Sequence, residues 1–338
     1  MSLTNCGIGF ALLALAASAG AQPVTLATRD FMVPALDPGI ELHLRNRQPA
    51  GAKAFAPGRI VLFVHGATFP ASSAFDVELP GGSWMGYVAA RGYDVYGLDI
   101  RGYGASTRPA AMSQPPRSNT PFADTREATR DIAAAVDFIL ARRGAARLTL
   151  IGWSWGTTTT ASFAAQHPEK IDRLVLDAPL WLHAQAPQWN GAYRTSTHDS
   201  ARAFCNAGIP KERIEEIAPL ASFDTWWAAT LATDPQGARQ TPPVVRSPNG
   251  VLRDISRLWA AGTASYDPAL IRAPTLLVVG EWDAITPPAM ASELFARLVN
   301  APQKRLVLLS AGTHCMGIQK NRMQLIRAVQ TFLDEPAP

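Results

Sequence analysis

The chain carries three cysteines in 338 residues, too few for the bridge-dense scaffold of a small secreted domain or for a cysteine-built metal cluster. Charge is also scarce, with Asp, Glu, Lys and Arg at 17% of the residues and a formal balance of +4. The basic residues are scattered, with only short pairs such as Arg142-Arg143 and Lys304-Arg305. A nucleic-acid binder needs a contiguous positive track, so nucleic acid is excluded as a partner. His43, His167, His183 and His198 fall at no metal-ligand spacing, and the cysteines do not complete one. The residues therefore imply neither a metal nor a cofactor. Internal repeats are absent as well, which excludes a solenoid.

Long apolar runs are confined to the N-terminus. Residues 1–21, MSLTNCGIGFALLALAASAGA, contain no charged side chain, an apolar segment from Ile8 to Ala17, and a small-x-small end at Ala19-Gly20-Ala21. That pattern reads as a signal peptide, leaving a secreted or periplasmic chain that starts at Gln22. The apolar stretch is shorter than the roughly 20 residues that span a bilayer. No later segment reaches that length, so no stable membrane insertion is expected after cleavage. An uncleaved anchor stays open as the alternative, because no Lys or Arg precedes the apolar core. Cys6 leaves with the leader. Cys205 and Cys315 then face an oxidising compartment, where they either bridge or pack as two buried thiols.

What is present is a rhythm. IELHLRN alternates as a half-buried strand does, and GRIVLFVHG holds a continuous apolar run from Ile60 to Val64, as a strand covered on both faces would. Strand and helix patterns then take turns through YDVYGLD, REATRDIAAAVDFILARRG, RLTLIG, TTTTASFAAQHPEK and IDRLVLDAP. Such βαβ repetition predicts a mostly parallel sheet with helices on both faces. Between residues 181 and 266 the rhythm fails. That stretch holds Trp181, Trp189, Trp226, Trp227 and Trp259, helical pieces, and a proline-rich connector TPPVVRSPNG. It is expected to be a helical cap without a large core of its own, inserted into an α/β core formed by residues 22–180 and 267–338.

In an open parallel sheet, ligands gather beyond the carboxyl ends of the strands. Four chemically useful segments are expected there: His65-Gly66-Ala67, Ser154, Asp283 and His314. Gly152-Trp153-Ser154-Trp155-Gly156 places a serine on a strand-to-helix turn with small residues at its flanks. A serine hydroxyl attacks only when a base takes its proton and a carboxylate holds that base in one tautomer. His314 and Asp283 are the candidates. Asp177, at the end of another strand, and Glu281 are the competing acids. Asp99 and Arg101 are read as loop braces. Backbone N–H groups of Ala67 and Trp155 are the candidate donors to a developing oxyanion.

With these residues in this order, the chain resembles the α/β-hydrolase fold family. The likeness rests on VLFVHGATF, GLDIRGYGAS, LIGWSWGTTTT, PTLLVVGEWDAITP and SAGTHC. It implies Ser154 as nucleophile, Asp283 as orienting acid, His314 as general base and a cap after the sixth strand. Serine at the elbow departs from the dehalogenases and epoxide hydrolases, which carry aspartate there. HGATF departs from the HGGPG oxyanion loop of proline iminopeptidases. The expected function is a serine hydrolase of a small-molecule ester, with a lactone also open. An amidase or aminopeptidase is one alternative, and a non-catalytic binding protein of the same fold is the other. Trp153, Trp181, Trp226 and Trp227 are expected to line an apolar substrate pocket.

Overall fold

The computed structural model describes residues 24–182 and 185–336, so the leader expected at 1–21 lies outside the described residues. The chain opens with β1 (Leu26–Pro34) and β2 (Glu41–Pro49), an antiparallel pair. β3 (Ile60–Val64), α1 (Ala71–Phe75), α2 (Trp84–Ala89), β4 (Asp94–Leu98) and α3 (Thr125–Arg143) follow. Next come β5 (Leu148–Trp153), α4 (Trp155–Gln166) and β6 (Ile171–Asp177). The inserted segment then contributes β7 (Tyr193–Thr197), α5 (His198–Asn206), α6 (Ile214–Ile217), α7 (Leu220–Ala232), α8 (Pro235–Ala238), β8 (Val244–Pro248) and α9 (Gly250–Arg257). β9 (Thr275–Gly280), α10 (Pro288–Arg297), β10 (Lys304–Leu309) and α11 (Met323–Asp334) complete the described chain.

The main sheet has eight strands in the order β1, β2, β4, β3, β5, β6, β9, β10. From β4 to β10 every neighbouring pair is parallel. Its apolar runs divide between two cores because strand side chains alternate faces. Leu62, Val64, Leu150, Leu176 and Leu277 join a cluster with Ile132, Ile139 and Phe163 of α3 and α4. Val61, Phe63, Ile151, Val175 and Val278 join the opposite cluster with Trp84, Val329 and Phe332 of α2 and α11. The 19-residue α3 starts on a capping box formed by Asp124 and Glu127 and stops at Gly144, whose φ is 60°.

The inserted segment is mixed rather than purely helical. TPPVVRSPNG, expected as a connector, forms β8, which pairs antiparallel with β7 and is buried throughout. Val244 and Val245 gain cover and ladder partners in Thr197 and Ser196, and this outweighs the disfavour that the prolines impose on a strand. The insertion has no closed core. Phe223, Trp226, Trp227 and Val245 pack with Phe69 and Cys315, which belong to the main body. No helix among the described residues is long and apolar enough to cross a membrane.

Two glycines are required by close backbone approach where β5 turns into α4. A Cβ on Gly152 would lie 2.4 Å from the Gly156 carbonyl oxygen, and one on Gly156 would lie 2.3 Å from that of Val64. Gly156→Ala is expected to cost about 1–3 kcal/mol through overpacking, read from denaturant midpoints. At Gly317 an added carbon meets nothing closer than 3.9 Å, so Gly317→Ala should change stability by less than about 0.5 kcal/mol. Equal losses at the two sites would contradict the close-approach account.

Candidate active site

Ser154 stands between β5 and α4 with φ 56° and ψ −123°, a region that costs a non-glycine residue about 1–3 kcal/mol. Its neighbours hold it there. The Ser154 N–H donates to the Asp177 carbonyl at 2.9 Å, and the Ser154 carbonyl accepts from the Thr157 N–H at 2.9 Å. Strand register supplies the rest of the site. Val64 faces Gly152 across the β3–β5 pair, which sets the loop after β3 beside the serine. Leu309 faces Gly280 across β10 and β9, which sets the loops carrying His314 and Asp283 side by side.

Within that frame the Ser154 Oγ lies 2.9 Å from His314 Nε2, and His314 Nδ1 lies 2.9 Å from Asp283 Oδ2. Asp283 and His314 are each only 2% exposed. A carboxylate can only accept, so the Nδ1 of the neutral ring carries the proton and Nε2 is left to accept from the serine. Asp283 is held in turn. Its Oδ1 accepts from the N–H groups of Ile285 and Thr286 at 2.9 and 2.7 Å, and its Oδ2 from the Thr286 hydroxyl at 2.8 Å. The Trp153 indole N–H donates to the His314 carbonyl at 2.9 Å, tying the histidine loop to the serine turn.

The loop after β3 is braced by His65. Its Nδ1 donates to the Gly66 carbonyl at 2.6 Å, while its Nε2 accepts from the Ile100 N–H at 3.1 Å. Both nitrogens are thereby assigned, and burial pushes the ring's pKa down, in keeping with a neutral imidazole. The bond to the Gly66 carbonyl polarises the same peptide unit that presents the Ala67 N–H. Neither that N–H nor the one of Trp155 donates to a protein acceptor among the described residues. A Cβ on Gly66 would sit 3.0 Å from that of Ser154, so a larger residue would crowd the serine.

Among the competing acids, Asp177 lies at the end of β6 with no side-chain hydrogen bond among the described residues. Burial, and after it the charge of Asp283, push its carboxyl well above the usual carboxylate range. It is Asp283 that meets the imidazole. Glu281 instead accepts from the Ala311 N–H at 3.1 Å. Asp99 braces loops, accepting from the N–H groups of Ala71 and Ala105, and Arg101 pairs with Asp131 and Asp37.

A cavity of about 350 Å³ opens over Ser154 and His314. Of the four tryptophans expected along it, only Trp153 is there. Trp181 packs edge-on to Tyr266 and donates to Glu293, Trp226 donates to the Ser73 carbonyl and packs on Phe69, and Trp227 packs against His198. Trp181 and Trp226 serve as joints because a large ring buries most area where the insertion meets the body, while Trp227 packs inside the insertion against His198 and Trp226. Trp155, whose backbone was of interest, buries its ring and donates to Thr125. The cavity wall comes instead from Phe69, Leu180, Phe204, Val251, Leu252 and Ile255, together with Arg194. Composition alone did not reveal Arg194, Thr286 or Phe204; the only available signal was their nearness to the β7 alternation, the acid loop and Cys205.

Cys205 of α5 and Cys315, next to His314, are disulfide-bonded with Cα atoms 5.1 Å apart. The Cys205 carbonyl also accepts from Gln319 at 3.0 Å and Thr313 at 3.3 Å. The insertion is thus fastened to the histidine loop. Among the described residues no group of three or more His, Cys, Asp or Glu could hold a metal ion.

A family model described as the alpha/beta hydrolase fold matches residues 59–321. The chain belongs to that family, with a mostly parallel sheet and an inserted subdomain. The abhydrolase domain-containing protein abhd-5.2 of Caenorhabditis elegans is 26% identical over 95 residues, 28% of this chain and 19% of the nematode protein. The chain is also 23% identical over 235 residues to the proline iminopeptidase of Neisseria gonorrhoeae, covering 61% of this chain and 73% of that one. A thermophilic esterase from Thermogutta terrifontis shares the fold with a TM-score of 0.58 at 16% identity, covering 90% of this chain and 98% of the other.

Two measurements test this arrangement. Because burial and then the charge of Asp283 raise the Asp177 carboxyl above its ordinary range, the folded protein should hold that proton to higher pH than the unfolded chain, which releases it near about 3.9. The stability this gives is complete below that value and is lost as pH rises toward the folded pKa. Asp177→Asn stays neutral throughout, so its melting temperature should exceed that of the wild type by a margin that grows as pH rises above about 4. A constant margin would contradict a raised pKa. For the bridge, the sequence separation of 110 residues gives an ideal loop-closure contribution of about 5 kcal/mol. Without reductant the denatured protein should take up no alkylating agent at Cys205 or Cys315, and reduction should lower its melting temperature.

Proposed function

We propose that the protein is a serine-dependent carboxylic ester hydrolase acting through an acyl-enzyme. The observation that carries this reading is the unbroken path from the Ser154 hydroxyl through both nitrogens of His314 to Asp283. Ser154 attacks the ester carbonyl while His314 Nε2 takes its proton, and Asp283 stabilises the imidazolium that results. The N–H groups of Ala67 and Trp155 receive the negative oxygen of the tetrahedral intermediate. His314 then protonates the departing alcohol. For deacylation the same nitrogen draws a proton from water, which attacks the acyl-serine, and returns that proton to the Ser154 oxygen as the acid leaves. A lactone would react in the same way, with its alcohol remaining on the same molecule.

The iminopeptidase relative keeps an aminopeptidase reading in view. Against it stands the cavity lining, which holds no carboxylate and one cation, Arg194; a free α-amino group would find no counter-charge there. Amides also demand more help for the leaving group than esters do. We further propose that the chain is exported, a reading supported by the uncharged apolar leader and by the Cys205–Cys315 bridge.

Ser154→Ala should abolish both p-nitrophenyl butyrate hydrolysis and covalent labelling by a fluorophosphonate. Asp283→Asn should lower kcat about 10⁴-fold by allowing the wrong imidazole tautomer. Hydrolysis that survives loss of Ser154, or proline p-nitroanilide cleaved faster than every ester, would refute the ester assignment.

A further inference from the structure

Arg194 projects from β7 of the insertion into the cavity over Ser154. Every acceptor it meets is neutral. Nη1 donates to the Pro248 carbonyl at 2.7 Å and, weakly, to Asn249 Oδ1 at 3.4 Å. Nη2 donates to the Ala67 carbonyl and to Thr68 Oγ1. The Tyr103 hydroxyl is a further uncharged partner, and among the described residues the guanidinium forms no ion pair. Elsewhere in the interior, Arg101 meets Asp131, Arg143 meets Asp94 and Arg246 meets Asp234. Arg322 and Arg173 also hydrogen-bond only carbonyls, those of Pro80 and Gly82 and that of Glu335, but neither lines the cavity over Ser154. Arg194 alone combines an unpaired charge with the reaction cavity.

The surroundings extend the pattern. A second cavity, of about 540 Å³, shares Arg194, Thr195 and Leu252 with the first and adds Arg117, so the two adjoin along one wall. Neither is lined by an aspartate or glutamate. Burial pushes the guanidinium's pKa below its ordinary value, yet arginine stays protonated at neutral pH. Arg194 is half-buried, and a cation even partly withdrawn from water without a counter-ion carries a cost. An anionic group on a ligand would relieve that cost and gain charge-assisted hydrogen bonds from a planar fork suited to carboxylates.

From this geometry we infer that the substrate is an ester with an apolar body and a free carboxylate, and that Arg194 is the residue that binds the carboxylate. The inference rests on the ester-hydrolase reading and specifies its substrate class. Phe69, Leu180 and Phe204 would cover the apolar part, with Ser154 at the ester carbonyl. A purely structural Arg194, serving only to clamp the Ala67 carbonyl, would act on all substrates alike. Substrate discrimination therefore separates the two roles.

The test uses two matched ester pairs and the full-length protein. One pair places the charge on the acyl side: p-nitrophenyl hydrogen adipate and its methyl ester. The other places it on the alcohol side: 4-carboxyphenyl butyrate and its methyl ester. In at least one pair, wild-type kcat/KM for the acid should exceed that for the neutral partner by about tenfold or more, the scale of a charge-assisted hydrogen bond. Arg194→Gln should bring that ratio toward one, and Arg194→Lys should restore part of it. Should the variants fail to fold, wild-type inhibition answers the same question: adipate should inhibit competitively and adipamide should not. Cleavage of all four esters without preference, an unchanged ratio in Arg194→Gln, or equal inhibition by acid and amide would overturn the inference alone. If no ester is cleaved at all, the hydrolase reading falls and this inference falls with it.

Discussion

The contact of α4 with the carboxyl end of β3 is the constraint on which the site depends. Because Gly156 lies so close to the Val64 carbonyl, the helix begins hard against the sheet, and the chain can reach it from β5 only by a turn that forces Ser154 to positive φ. The strain is tolerated because two buried cores hold the strand and the helix from opposite faces. The same closeness points a helix N-terminus and the Trp155 N–H toward the place where negative charge would develop. A serine placed by a flexible loop would lose that alignment whenever the loop moved.

Around this point the molecule spends its buried polar groups unevenly. Asp283 receives three donors from its own loop besides the imidazole, so its buried carboxyl oxygens are hydrogen-bonded. Asp177, one strand away, receives no such donors and is kept toward its neutral form by burial and by Asp283 itself. Two aspartates at neighbouring strand ends thus differ in character because of their hydrogen-bond supply, not their sequence setting. His65 presents a parallel case, since bonds at both nitrogens fix it as a neutral brace.

The insertion is energetically part of the body. Its apolar residues complete a cluster with Phe69 and Cys315, its Arg194 and Ser247 bond the Ala67–Thr68 segment, and its Cys205 is bonded to the residue after His314. Motion of the insertion would therefore be transmitted to both the loop after β3 and the loop that carries His314. A lid that closes freely over a finished site is not what these contacts describe.

The βαβ alternation of the body, though not the short helix α1, the serine turn, and the candidates His314, Asp283 and Ala67 were legible in the sequence. They depend on local patterns: runs of apolar residues long enough for a covered strand, glycines at a tight turn, and chemical groups just past strand ends. The β8 strand was not legible, because its prolines mimic a connector and its partner β7 lies 47 to 55 residues upstream, in the register that runs from Thr197↔Val244 to Tyr193↔Pro248. Nor were the roles of Trp181, Trp226 and Trp227, since a tryptophan on a joint and one in a pocket share the same composition. Which aspartate meets His314, whether the two cysteines meet, and that Arg194 reaches the cavity without a counter-ion were decided only by tertiary structure. The physical reason is common to all three: each depends on distances between residues remote in sequence, which local pattern cannot fix and which only the packing of strands, helices and insertion together determines.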